Sequence, residues 1–303
     1  MKLLRALPAL AAAPLVACSD QNVSALRFDA IAVVRGDFDN VTEPLTALDI
    51  HTQPYNGFIV QATYEPDDER TTRDDPGPTV EGLLTSTTEK GQLEIGLFNA
   101  VFVNSGTRGL GAFRYNDLLE PDDSLLADTE AMDNACSFAE GGGSLVVSDW
   151  AYDLVEYCWP DALELFGDDA TPDAAQAGMP DDAILADVKD EKLKEALGDG
   201  VNLTYDYTAW TVIESVGGDT EVLLSGTVEY QPSAEELPVE LENAPLMVRF
   251  NPGRGQVVFT TFHWTAQTPD VAQTLLLEAV EGLYEGAGDD NAEAGDAEEG
   301  SDA

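Results

Sequence analysis

The chain has 303 residues, of which 58 are Asp or Glu and 14 are Lys or Arg, for a formal net charge of −44 at pH 7. Hydrophobic residues make up 44%, enough for a globular core, so wholesale disorder, a collagen-like fibre and a polytopic membrane protein are excluded. A surface this acidic repels phosphate, which excludes nucleic-acid binding by backbone neutralisation, and three cysteines are too few for a disulfide-built scaffold.

The first residues carry an address. Met1-Lys2-Leu3-Leu4-Arg5 precedes an apolar run from Ala6 to Ala17, the basic start, short apolar core and small-residue end of a secretory leader. The run is shorter than the about 20 residues that span a bilayer. It ends Leu15-Val16-Ala17-Cys18, which resembles the bacterial lipobox. That resemblance implies cleavage before Cys18 and lipidation of Cys18. Residues 1–17 are therefore read as a lipoprotein signal peptide and 18–26 as the lipidated Cys with a short linker. Acyl chains on Cys18 would partition into the bilayer at about 0.8 kcal/mol per buried methylene. Ser19 resembles the sorting pattern for outer-membrane delivery. The expected location is an exported, membrane-anchored lipoprotein of the outer membrane, facing the periplasm or cell surface.

Acid pairs recur throughout the chain (Asp67-Asp68, Asp74-Asp75, Asp122-Asp123, Asp168-Asp169, Asp181-Asp182). Such a surface stays hydrated in high salt, where screening relieves self-repulsion, so a saline habitat is expected. None of the pairs has the twelve-residue calcium-loop spacing. Residues 286–303 hold seven acids and no base, and read as an acidic disordered tail.

Phe28 to Val34 is a near-continuous apolar run, as in a strand buried on both faces. Val41, Leu45 and Leu48 have helical spacing. Gly57 to Tyr64 reads as a strand and 65–91 as a long polar loop. Leu97 to Val103 is a second apolar strand. Thr129 to Glu140 reads as a helix stopped by Gly141-Gly142-Gly143. Ser144 to Val147 is a third strand, followed by a helix over Ala151–Tyr157. Residues 161–182 read as a loop, and Asp190 to Leu197 as a short helix. Strands follow at Val201–Tyr207, Trp210–Ser215, Glu221–Tyr230, Leu246–Phe250 and Gln256–Phe262, then a last helix from Thr268 to about Tyr284. Strands alternating with helices predict an α/β fold over residues 27–285: a mostly parallel sheet with helices on both faces, plus a β-rich C-terminal part. Cys136 and Cys158 fall on the helices flanking one strand, and an isolated cysteine pair in an exported protein is expected to form a disulfide.

Four pieces in order, Ala30–Gly36, Ala100–Gly106, Gly142–Trp150 and Gly255–His263, resemble the class I glutamine amidotransferase-like superfamily, a flavodoxin-like fold that includes trehalose-utilisation-type proteins. By that resemblance Ser148-Asp149-Trp150 occupies the nucleophile elbow and Phe262-His263 the place of the family's catalytic histidine. The elbow holds no Cys, and a glutaminase needs its thiolate there. The resemblance thus implies a domain without glutaminase chemistry, serving ligand binding or protein assembly in the cell envelope.

A second reading is a hydrolase using Ser148 or Asp149 with His263, since a carboxylate can orient and charge an imidazole. The structural alternative is that Ser148 and Asp149 cap the next helix and His263 bonds that cap. Asp37, Asp39, Ser105 and Arg108, in strand-exit loops, are candidate ligand-binding residues; the segment 104–109 could cradle an anion. Trp150 and Trp264 motivate a third reading, an envelope carbohydrate-binding protein. With only His51 and His263 in the chain, no metal site is expected, and no cofactor. The expected partners are the bilayer, through acylated Cys18, and an envelope protein or small ligand.

Overall fold

A computed structural model describes residues 30–36, 39–57, 78–104, 124–167, 175–206, 210–233 and 235–285. The signal peptide, Cys18, Asp37, Ser105, Arg108, residues 58–64 of the expected second strand and the acidic tail lie outside the described residues.

In chain order the elements are β1 (Ile31–Arg35), α1 (Thr42–Ala47), β2 (Thr52–Asn56), α2 (Val80–Thr85), β3 (Ala100–Val103), α3 (Thr129–Glu140), β4 (Ser144–Ser148), α4 (Tyr152–Cys158), β5 (Leu163–Leu165), β6 (Ala177–Gly178), β7 (Asp181–Val188), α5 (Glu191–Leu197), β8 (Gly200–Tyr205), β9 (Ile213–Val216), β10 (Glu221–Gln231), β11 (Val239–Phe250), β12 (Gln256–Thr260) and α6 (Pro269–Glu285). The main sheet runs β2-β1-β3-β4-β12-β11-β10-β7-β8, with β6 pairing β10. Its first five strands are parallel. Their order, written by position among the parallel strands, is 2-1-3-4-5, the flavodoxin-like order. From β12 onward every pairing is antiparallel. The C-terminal strands therefore extend the main sheet rather than forming a separate unit. β5 and β9 make a small second sheet.

The apolar runs explain the layers. Strands buried on both faces send alternate side chains to opposite sides. Ala32, Val34, Val101, Val103, Leu145, Val147, Val257 and Phe259 join one core with α2, α3 and α4. Ile31, Val33, Ala100, Phe102, Val146 and Val258 join the other with α1, α5 and α6. α3 starts at Asp128, whose carboxylate accepts from the N–H groups of Glu130 and Ala131. The disulfide Cys136–Cys158 ties α3 to α4 across a sequence separation of 22.

Three expectations are corrected. A strand forms at Thr52–Asn56, before the expected Gly57–Tyr64, of which only Gly57 is described and is not in a strand; it contains Pro54 and is polar because it lies at the sheet edge, where a missing N–H costs no ladder bond. Within the expected loop 65–91, Val80–Thr85 is helical, capped by Thr79 Oγ1 accepting from Gly82 N–H. The expected loop 161–182 contains β5, β6 and the start of β7. β7 alternates buried Ile184, Ala186 and Val188 with exposed Ala183, Leu185 and Asp187, a half-exposed pattern broken at its start by the acid pair.

The disulfide yields a test. Replacing Cys136 and Cys158 together by Ser is expected to destabilise the fold by about 3 kcal/mol, read as a lower midpoint of thermal or chemical denaturation.

Candidate functional site

β4 ends at Ser148, and the next residue turns sharply. Asp149 has φ +47°, a left-handed conformation that a non-glycine residue adopts at a cost of about 1–3 kcal/mol. The turn is held from the side. Asp149 Oδ1 accepts the Thr211 N–H at 2.7 Å, and Oδ2 lies 3.0 Å from His263 Nε2. His263 follows the end of β12, which is parallel to β4 and next to it. The two side chains therefore meet at the carboxyl ends of neighbouring strands. Asp149 is 0% exposed and His263 is 5% exposed.

The other imidazole nitrogen is also occupied. His263 Nδ1 lies 3.3 Å from Asp206 Oδ1, and Asp206 is partly open to solvent. Asp206 directly follows β8, which runs in the same direction as β12. β8 is four positions from β12 along the hydrogen-bonded path. Contact between Asp206 and His263 thus requires the sheet to curl, as twisted sheets do. A third carboxylate is buried nearby. Asp39 accepts the main-chain N–H groups of Trp264 and Thr265 at 3.0 and 3.1 Å, and the Thr265 hydroxyl at 3.1 Å.

Burial alone would discharge His263. The hydrogen bonds to Asp149 and Asp206, with the charges of Asp149 and Asp39, overcome that penalty and push its pKa up to about 10. A carboxylate at each ring nitrogen favours the imidazolium, which can donate to both. For Asp39, burial raises the pKa, opposed by the His263 charge and by the bonds from Trp264 and Thr265.

An aromatic shell closes over these groups. Tyr205 and Trp210 pack with ring centroids 4.2 Å apart, Phe262 meets Trp264 edge-on at 5.5 Å, and the Tyr205 hydroxyl pairs with Thr261 Oγ1 at 2.8 Å. Burial pushes the Tyr205 phenol up, and the Asp149 charge adds to this. Gln267 completes the surround, accepting from Thr204 N–H and donating to the carbonyls of Thr204 and His263.

The sequence-derived residues are placed as follows. Asp149 and His263 come together, and Ser148 is buried beside them at 1% exposure. The capping alternative is not what forms. Ser148 makes no side-chain cap bond, and the Asp149 carboxylate turns to Thr211 and His263 instead. Asp39 is not a ligand-facing acid: it is 2% exposed and holds the chain after His263. Trp150 and Trp264, at 3% and 1% exposure, are core residues and offer no stacking face to a sugar. Sequence reasoning missed Asp206, Thr211, Tyr205 and Gln267. An acid just after a strand was the available signal for Asp206. Nothing local marked the others, whose roles arise from the curl of the sheet.

An imidazole with both nitrogens turned to carboxylates has no lone pair for a metal. Among the described residues no group of three or more His, Cys, Asp or Glu side chains is arranged to hold one. Among the same residues no helix is long and apolar enough to cross a membrane.

No protein-family model and no curated protein matches the chain. Solved structures do resemble it. A cytoplasmic protein from Salmonella typhimurium is 10% identical with a TM-score of 0.46, covering 82% of this chain and 97% of its own. A protein from Thermoplasma acidophilum described as part of a GMP synthase is 8% identical with a TM-score of 0.46, covering 84% and 94%. A ThuA-like protein from Parabacteroides merdae is 10% identical with a TM-score of 0.45, covering 84% and 89%. At these values the likenesses carry no functional argument, and the fold assignment stands on the strand order.

Two outcomes follow for stability. Because the folded pKa of His263 is raised from 6.5 to about 10, its contribution is fully present below pH 6.5 and is lost as pH rises toward 10. A thermal-melting series should fall across that window, and His263→Gln should remove that part of the slope. Asp149→Ala strands a buried cation and should cost about 3–5 kcal/mol in a denaturant titration.

Proposed function

We propose that this chain is a membrane-anchored cell-envelope lipoprotein whose amidotransferase-like domain serves ligand binding or protein assembly and has no hydrolytic chemistry of its own. The observation that carries the non-catalytic reading is the ion pair at the elbow. The place of a nucleophile holds a fully buried carboxylate, with one oxygen on the Thr211 N–H and the other on His263. A general base needs a free lone pair near neutral pH. The acids around His263, one at each ring nitrogen, favour its protonated form. The pair is therefore an internal salt bridge built in the position of a catalytic dyad.

The 3.0 Å approach of His263 to Asp149 is the one observation favouring the hydrolase reading, because it puts base and carboxylate within reach. That reading also needs a neutral ring and an open approach to Asp149, and the burial and charge of the site oppose both. The carbohydrate-binding reading loses its motive with the burial of Trp150 and Trp264. The lipobox-like Leu15–Cys18 and the short linker after it support the anchored location, and the acid-rich composition supports life in salt.

Two experiments test this. Full-length protein incubated with glutamine and with a panel of nitrophenyl esters should turn over none of them faster than Asp149→Asn does; hydrolysis abolished by Asp149→Asn and by His263→Gln would overturn the non-catalytic reading. In cells, Cys18→Ala should stop incorporation of labelled palmitate and move the protein from the membrane pellet to the soluble fraction; unchanged fractionation would overturn the anchor.

A further inference from the structure

Three stretches of the chain have the form Asn-x-Ser/Thr with x other than Pro: Asn22-Val23-Ser24, Asn40-Val41-Thr42 and Asn202-Leu203-Thr204. In an exported protein this is the acceptor pattern for N-linked sugar, and it is used where it reaches the surface. So short a pattern also arises by chance, and the surroundings of each asparagine decide. Asn22 lies outside the described residues.

Asn40 is exposed but folded back on its own turn. Its Oδ1 accepts the Thr42 N–H at 3.3 Å, and the Thr42 hydroxyl that completes the pattern is buried.

Asn202 differs on both points. It lies on β8, the last strand of the main sheet, where successive side chains alternate between faces. Val201, Leu203 and Tyr205 are buried, whereas Asn202 is exposed and Thr204 half-buried. The two polar members of the pattern therefore share the outer face of an extended edge strand. No described residue hydrogen-bonds the Asn202 side chain, so a group attached at Nδ2 displaces no contact. Gln267 binds the main chain of Thr204 and leaves Asn202 untouched.

The neighbour of Asn202 across the ladder is Leu185 of β7. At 64% exposure it is the most exposed large apolar side chain on any described strand. It leans over β8, with its Cδ1 3.3 Å from the point where a Cβ on Gly200 would sit. A bulky, hydrated group on Asn202 would cover both Leu185 and the strand edge.

We propose that Asn202 is an N-glycosylation site. The donor is an oligosaccharide joined through phosphate to a membrane polyprenol, and a membrane-bound oligosaccharyl transferase moves it. The Asn202 amide nitrogen attacks the anomeric carbon and a C–N bond forms. The C–O bond to phosphate breaks, and its electron pair leaves with the lipid phosphate. The amide proton passes to a base of the transferase, and nothing is oxidised or reduced. This inference rests on the exported location proposed above.

The test is peptide mass spectrometry of the full-length protein purified from the membranes of the cells that make it. Trypsin places the three patterns in separate peptides, 18–27, 36–70 and 195–249. Peptide 195–249 is expected to carry sugar located on Asn202. The sugar should be lost in Asn202→Gln and in Thr204→Ala and kept in Thr204→Ser, with circular dichroism unchanged in all three. An unmodified 195–249 beside an acylated 18–27 would overturn glycosylation and leave the exported location standing. An unmodified 195–249 in a chain that retains residues 1–17 would overturn both. Sugar confined to Asn40, or sugar on 195–249 that survives Asn202→Gln, would overturn the assignment to Asn202.

Discussion

A charged imidazole buried against a charged carboxylate is the constraint around which this protein is arranged. Moving either ion out of water alone costs several kcal/mol, and the pair is tolerable only when every remaining lone pair and proton finds a partner. The structure meets that condition group by group. Thr211 supplies an N–H to the free oxygen of Asp149, Asp206 takes the second His263 nitrogen, and Asp39 lies near enough to favour the positive charge while anchoring the next two residues. The left-handed turn at Asp149 is a local cost that aims the carboxylate at His263.

The same contacts join the two halves of the sheet. Asp149 and His263 follow neighbouring parallel strands, whereas Asp206 and Thr211 belong to the chain around the antiparallel extension. Gln267 binds the far edge strand and the His263 carbonyl together. The curl of the extension and the burial of the ion pair are therefore one event. Tyr205, Trp210 and Phe262 then exclude water, which strengthens the ionic contacts inside. A pair of residues suited to acid–base chemistry thus also ties the parallel half of the sheet to its antiparallel extension.

Strands with both faces buried, β1, β3, β4 and β12, were legible in the sequence because their apolar runs are continuous, and α1, α3 and α4 were legible beside them; α2 was not, lying in a stretch rich in polar residues, Pro and Gly. α3 was readable from the helical spacing of Thr129 to Glu140 and the Gly141-Gly142-Gly143 stop; the Asp128 cap is seen only in the structure. β2 escaped because an edge strand needs no apolar run and tolerates Pro54. β7 escaped because only Ile184, Ala186 and Val188 face a core and an acid pair opens it. At the site, residue type and strand-end position made Asp149 and His263 visible. Asp206 and Thr211 were not, because a sequence does not display the curl that brings β8 back to β12. Trp150 and Trp264 suggested a ligand-facing aromatic surface because they flank Asp149 and His263 in sequence, while in space both are buried.

With a carboxylate at each ring nitrogen, His263 is expected to be a fixed cation and no proton acceptor. The most direct measurement is an NMR titration of the ring nitrogens in the full-length protein. The chain has only two histidines, and His51 is exposed, so Ala substitution at His51 leaves one ring to follow. Two protonated nitrogens on His263 are expected at neutral pH, persisting until the pH approaches 10. A neutral His263 ring at pH 7, with one nitrogen bare, would contradict it and return Asp149 and His263 to the groups able to do chemistry.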